Sequence, residues 1–550
     1  TSACEKTQRY QHKLLVVVRI KIQNKNDVLL SLPKENNMQH ILLKSRQQIE
    51  FSSLDDLIEI DNTVRFIDAF VDKLELNKLG FTVNMLKKEG RPSYNSSLFL
   101  KLYIYGYLNG IRSSRKLEKE CVRNIELKWL MSGLTPNYHS IADFRKQNPQ
   151  ALRNTFKLFV LFLKDADLIA GNTIAIDGTK ARAHNSKKNN YNQKKIERHI
   201  AYIEEKTNQY LKELDQADKN ELIDKVKNIE EKLNKLKTQK IKYETITTQL
   251  EQSGEPQVST TDADARALLI HGQVVEVSYN TQAAIDDKHK LVVATHTINR
   301  NDRNALSNVA LETKENIQVQ TFTLLADKGY NNAKEIETCQ NNGLTTIVAQ
   351  QEIVNSNNKG TTKEYLVTNF IYNKKTDTYT CPQNQTLTTT GTWHTKKRDK
   401  GAHQFKKYRT TACKTCAALN LCTAKADGRR EIERSQYADA IELNNKNYKE
   451  NYQLYRKRQE LNEHVFGTIK RVWGYYYTNL KGLKKVNGEW SLIMMVYNMK
   501  RTINILGFDK LMKKLNAWKP KYKREWLYPQ KINRKGALIR ILFFESKMVA

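Results

Sequence analysis

The hydrophobic period of the chain changes near residue 168, and that change limits the fold more than any other feature. From about 50 to 165, apolar residues recur at helical spacing, with turn signals at Gly90-Arg91-Pro92, Gly110 and Thr135-Pro136-Asn137. After Leu168 comes Thr173 to Ile176, a short β-branched run followed by Asp177-Gly178-Thr179. It reads as a buried strand ending in a carboxylate.

The same strand signal returns downstream. Residues 273–285 and 291–298 read as two strands joined by the Asp286-Asp287-Lys288-His289-Lys290 turn, a hairpin by turn chemistry. A helix is expected near 303–316, then a strand from Thr321 to Ala326 ending in Asp327, a helix near 332–341, and a strand from Leu344 to Ala349. The fold class expected is therefore α/β. The order β-β-β-α-β-α-β is that of an RNase H-like catalytic core, placed at 166–350 and 436–480.

An all-α N-terminal domain is expected over 38–165. Ser113 and Ser114 can cap a helix running to Arg123, and Ser140 can cap one from Ile141 onward, with Arg145 and Lys146 after Phe144. Short capped helices of this kind suit a DNA-binding helix-turn-helix, or a bundle with a solvated charged face. Two segments interrupt the core. Over 184–258, Leu222, Val226, Ile229, Leu233, Leu236, Tyr243 and Leu250 keep heptad spacing after an arm with Ile196, Ile200, Ile203, Tyr210 and Leu214. That predicts a helical hairpin, either gripping DNA or dimerising, or packed on itself. Residues 351–435 read as a β-rich insertion containing a cysteine cluster. Residues 1–37, ahead of Met38, are expected to be a non-native extension. Residues 481–550 form a basic C-terminal region, with Trp490 in a core and Lys513 to Arg524 as candidate phosphate contacts.

At 550 residues the chain exceeds what one hydrophobic core sustains, and 39% hydrophobic residues suffice to fold it. Lys plus Arg number 92 against 59 Asp plus Glu, a net charge of +33 that repels itself unless a polyanion is a regular partner. Nucleic acid is the partner expected. The apolar runs Leu14 to Val18 and Leu158 to Leu163 fall far short of the roughly 20 residues that span a bilayer, and Arg19 and Lys21 cut off any secretory segment. An intracellular protein with no membrane partner is expected. Cys381, Cys413, Cys416 and Cys422 fall within about forty positions, too sparse for a disulfide scaffold. They can supply four thiolates to a tetrahedral Zn²⁺ site, with His394 or His403 as substitutes, or line a small reduced core.

Asp177 and Asp327 each end a strand, where rigid sheets hold active-site carboxylates best. A third acid comes from the segment Tyr455 to Arg471. On a helix there, Val465, Phe466, Ile469, Val472 and Trp473 form an apolar arc with Glu463 at its edge and Lys470 on the same face. Three converging carboxylates repel unless a hard divalent cation sits among them, Mg²⁺ or Mn²⁺, and such ions drive in-line attack on a phosphodiester. Asp262 and Asp264 read as a cap or turn, and Asp286, Asp287 and Asp302 as turn residues.

Three segments carry a resemblance: Asp177-Gly178-Thr179-Lys180, Ala326-Asp327-Lys328-Gly329-Tyr330 and Glu463-His464-Val465-Phe466-Gly467-Thr468-Ile469-Lys470. They are similar to the three acidic motifs of bacterial insertion-sequence DDE transposases, and Gly90-Arg91-Pro92-Ser93-Tyr94 with the helices after it resembles those enzymes' N-terminal domain. The resemblance covers roughly 50–505. It implies metal-dependent DNA cleavage and strand transfer, with Asp177, Asp327 and Glu463 as metal ligands. The family's Tyr-Arg-Glu-Lys signature falls on Tyr455, Arg458, Glu463 and Lys470, with Arg456 as the alternative arginine because Arg458 leaves four residues before Glu463 where the family leaves three. It also implies double-stranded DNA partners (terminal inverted repeats and target), a homo-oligomer on DNA, and a cytoplasmic, nucleoid-associated bacterial setting. The alternatives are an RNase H-like nuclease without strand transfer and a non-catalytic DNA-binding descendant.

Overall fold

The computed structural model describes residues 45–49, 51–81, 93–219, 223–270, 274–350, 361–398, 401–423 and 429–523. The expected extension at 1–37, the Gly90-Arg91-Pro92 turn, Leu222 and the tail from Arg524, with Trp526 and Tyr528, lie outside the described residues. The chain divides into residues 1–52 and 53–550, and every helix and strand given below belongs to the second unit.

Six helices come first: α1 (Thr63–Asp72), α2 (Ser96–Leu108), α3 (Ser114–Arg123), α4 (Ile125–Leu130), α5 (Tyr138–Gln147) and α6 (Pro149–Asp165). Side-chain oxygens of Asn62, Asn95, Ser113, Asn124 and Asn137 accept the first free N–H groups of α1 to α5. The cap of α5 is thus Asn137 rather than Ser140, whose own N–H donates to Asn137 at 2.9 Å. Pro149 opens α6, where a missing N–H costs nothing. Phe66, Phe70, Tyr103, Phe156 and Phe159 are fully buried among these helices.

The strands are β1 (Thr173–Arg182), β2 (Asn190–Tyr191), β3 (Val258–Ser259), β4 (Arg266–Ile270), β5 (Val274–Asp286), β6 (Val292–Ile298), β7 (Thr323–Ala326) and β8 (Thr345–Val348). β1 lies at the centre of a mixed six-stranded sheet. β5 runs antiparallel beside it and carries β4 and β6, while β7 and then β8 run parallel on its other side. β4 had no counterpart among the expected strands. Helices α9 (Leu306–Ile317) and α10 (Ala333–Asn341) make the crossovers to β7 and β8.

On each side of this sheet a buried asparagine pairs with the backbone of an outer strand. From α12 (Ala438–Glu450), Asn444 accepts from Val348 N–H and donates to its carbonyl, each at 2.9 Å. From α14 (Leu483–Leu506), Asn498 does the same for Val292, at 2.8 and 2.7 Å. Strand edges left open would template pairing with another chain, and each amide occupies one position of such an edge.

α14 also carries Glu489, wholly buried, which accepts from Arg112 and Tyr107 at 2.9 Å and from the Asn479 N–H at 3.0 Å. Burial alone would raise its pKa, but Arg112 and Arg145 together bring it below the usual carboxylate value. This carboxylate joins the N-terminal helices to the end of the chain. Trp490 is buried beside it, as expected of a core residue.

α7 (Gln193–Lys219) and α8 (Ile223–Ser253) pack against each other, with Lys240 paired to Glu204 at 3.0 Å and His199 stacked on Tyr243. Further on, β9 (Ile371–Asn373), β10 (Thr378–Thr380), β11 (Thr386–Leu387), β12 (His394–Arg398), β13 (Gly401–Tyr408) and β14 (Ile432–Ser435) form two three-stranded sheets, with the short helix α11 (Leu419–Cys422) between β13 and β14. α13 (Tyr452–Gly467) comes after α12, and α15 (Phe508–Ala517) after α14. Among the described residues no helix is long and apolar enough to cross a membrane.

Candidate active site

The parallel register of β1 and β7 pairs Ile176 with Ala326. The next residue along the chain is in each case an aspartate, so Asp177 and Asp327 stand side by side; Asp327 directly follows β7, as expected, but Asp177 does not end its strand, because pairing with β5 carries β1 on to Arg182. Both are half-buried. Asp177 accepts from the Gly178 N–H at 2.8 Å, and Asp327 from the Gly329 N–H at 2.7 Å.

A third aspartate joins them from an unexpected place. Asp302 begins the turn before α9, as a turn residue should, but its Oδ1 accepts from Asn280 Nδ2 and Gln282 Nε2, both at 2.8 Å. These amides project from β5, where Gln282 lies opposite Gly178. A Cβ on Gly178 would come within 2.5 Å of that carboxylate and collide with Gln282, so the close approach requires glycine. The buried Tyr330 hydroxyl donates to the other end of the Gln282 amide. The sequence signal for Asp302 was present: two amides, Asn280 and Gln282, two residues apart on one face of a buried strand need partners.

Burial pushes the Asp177 carboxyl up to about 6; Arg458 and the Gly178 N–H oppose the rise, and Asp327 and Asp302 add to it. Three mutually repelling acids with hard oxygen donors suit a divalent cation such as Mg²⁺. Among the described residues, however, no group of three or more His, Cys, Asp and Glu side chains stands formed to hold a metal ion.

The residues of α13 divide. Arg458 reaches Asp177 at 3.2 Å, while Arg456 is exposed. The Arg458 guanidinium also lies over the Tyr455 ring at 5.6 Å, and Tyr455 packs on Tyr448. Glu463 is exposed and accepts from Gln459 at 2.8 Å, so it is not gathered with the two aspartates. It lies about 140° round the helix from Arg458, whereas the buried positions are Leu461, Asn462 and Val465. The Asn462 side chain is buried with both polar atoms unpartnered. After Gly467 the helix widens into a π turn, Thr468–Val472. The extra residue in that turn rotates the positions after it, which is why Val472 is 77% exposed instead of completing the apolar arc. Lys470, in the π turn, donates to the Lys180 carbonyl of β1 at 3.0 Å. Burial lowers its pKa, and Lys180 lowers it further.

Other acids are structural. Asp262 accepts from Tyr279 and the Gly482 N–H, and Asp264 from the Leu483 N–H, so the pair caps α14. Asp286 accepts three N–H groups, from Ala170, Gly171 and Lys288. Two of the candidate phosphate contacts are engaged within the protein: Lys514 donates to the Ala166 carbonyl and Lys523 pairs with Glu315. Cys381, Cys413, Cys416 and Cys422 are unbridged and line one cavity.

The sheet thus sets two carboxylates side by side on neighbouring strands in a chain of net charge +33. Residues 52–147 match a family model described as a transposase domain, and residues 380–503 match one described as a transposase DDE domain. Both matches are to transposase domains, and they point to an insertion-sequence DDE transposase, a family that acts on DNA. The second match contains Glu463 and Lys470, whereas Asp177 and Asp327 lie outside both. No curated protein and no solved structure matches the chain.

Proposed function

We propose that the protein binds the terminal inverted repeats of its element, cleaves the element ends and joins the freed 3′-hydroxyl to target DNA, using an RNase H-like core. The sheet supports this reading: three antiparallel strands, β6, β5 and β1, continue into parallel β7 and β8. The observation that carries it is the register placing Asp177 beside Asp327.

In this reading Asp177 and Asp327 hold Mg²⁺ or Mn²⁺, with Glu463 as the third ligand once it leaves Gln459. The bound cation would activate the attacking oxygen and stabilise the leaving one. Arg458, over the Tyr455 ring, offsets the Asp177 charge and with Lys470 provides cationic groups for a DNA phosphate beside the acids. Asp302 positions the site: held by two β5 amides, it keeps a negative field on Asp177 from outside the sheet. The N-terminal helices read the ends, and the working form is a homo-oligomer on DNA in the bacterial nucleoid.

The test is cleavage of element-end DNA in Mg²⁺ by Asp177→Ala, Asp327→Ala and Glu463→Ala, with DNA binding measured in parallel. Each variant should lose cleavage and keep binding. Near-normal cleavage by any one removes that residue from the set, and cleavage without joining by the unaltered protein would make it a nuclease.

A further inference from the structure

We propose that Cys381, Cys413, Cys416 and Cys422 form a four-thiolate zinc site that staples together the region from β9 to β14. The thiols arrive from separate pieces of chain. Cys381 opens the turn between β10 and β11, Cys413 and Cys416 lie on and just after the 3₁₀ turn Thr411–Thr415, and Cys422 ends α11. All four line the same cavity of about 30 Å³. That volume admits one ion or water and little else.

The chemistry of the wall selects the metal. Among the described residues no carboxylate and no histidine lines the cavity, whose remaining polar groups are Tyr365, Gln383, Gln385 and Arg430. Soft thiolates without hard oxygen donors favour zinc and disfavour Mg²⁺. His394 and His403, alternatives by sequence, sit on β12 and β13 and do not line it. The Gln385 N–H donates to Cys381 Sγ at 3.3 Å, the kind of outer hydrogen bond that steadies a thiolate ligand.

The region also needs a staple. Among the described residues its own core is a small cluster of Phe370, Tyr379, Leu387, Tyr408 and Ile432, with Tyr372, Cys381 and Cys422 packed against them. Three-stranded sheets over so small a core gain little from burial alone, and small modules commonly add a metal or disulfides. The cysteines are not bridged. Nor are the four thiols already drawn to a common point. Closing on one ion therefore asks for side-chain rotation within the cavity, which staggered rotamers permit.

Metal analysis of the desalted full-length protein, purified under reducing conditions, should find about one zinc per chain. Replacing it with Co²⁺ should give thiolate-to-metal charge-transfer bands and the absorption of a tetrahedral ion. Cys413→Ser and Cys416→Ser should lose the zinc, whereas Asp177→Asn should keep it, which separates this site from the carboxylates. The cobalt spectrum of the unaltered protein decides the matter even where a cysteine variant fails to fold. Absence of zinc together with absence of a thiolate-to-cobalt band overturns the proposal. So does a disulfide among the four in the intact mass, or zinc retained by both serine variants.

Discussion

Replacing Asp177 by asparagine should stabilise the protein at neutral pH while abolishing cleavage. The Asp177 side chain is 27% exposed, and its pKa rises from 3.8 to about 6, with burial the largest cause and Arg458 only partly compensating. A folded acid with a raised pKa keeps a proton that the unfolded chain has already released. Its contribution to stability is therefore most favourable below the unfolded value and declines as pH rises through the folded one. A shift of roughly two units at about 1.36 kcal/mol each makes ionised Asp177 cost the fold roughly 3 kcal/mol at neutral pH. Asparagine copies the protonated acid in shape and charge, so the variant escapes that cost. Urea unfolding in EDTA should show the variant more stable by about 1–3 kcal/mol at about pH 7.5, with the gain shrinking at about pH 4.5. Adding Mg²⁺ should narrow the difference by stabilising the unaltered protein more. A variant less stable than its parent at both pH values would refute the reasoning, because the Arg458 ion pair would then outweigh burial and the acids would not be under strain.

Gly178→Ala should lower cleavage on the order of a hundredfold, since its Cβ would press within 2.5 Å of Asp302 and displace it. Cleavage unchanged in the variant would remove Asp302 from the site. Glu489→Ala should destabilise the protein by about 3–5 kcal/mol by leaving Arg112 and Arg145 buried without their carboxylate, read by urea unfolding. A loss under about 1 kcal/mol would mean that water enters there freely. With a net charge of +33, affinity for element-end DNA should fall steeply with salt, with a log–log slope on the order of −6. Lys514→Gln should leave that slope alone and cost stability instead, because its ammonium is bound to the Ala166 carbonyl; a flattened slope in this variant would place Lys514 on the DNA.

The properties that the sequence alone determined were local or global in kind. Apolar runs leading to Asp177 and Asp327 marked two strands because strand composition is settled within a few residues, although only Asp327 follows the end of its strand and β1 runs on past Asp177 to Arg182. Heptad spacing marked α7 and α8 for the same reason, and net charge pointed to a polyanion because charge needs no fold to be counted. Tertiary structure decided whatever depends on partners far along the chain. Asp302 became part of the site only when β5 brought Asn280 and Gln282 to it, and Asp262 and Asp264 cap a helix that begins some 220 residues later. Asn444 and Asn498 read as ordinary polar residues on helices until each meets an edge strand. Glu463 shows the limit most directly. Helical spacing placed it at the rim of a buried face with Lys470, but α13 buries Leu461, Asn462 and Val465 and then widens into a π turn, so Lys470 meets β1 while Glu463 meets Gln459. Periodicity says which residues share a face, and only packing says what that face is turned towards.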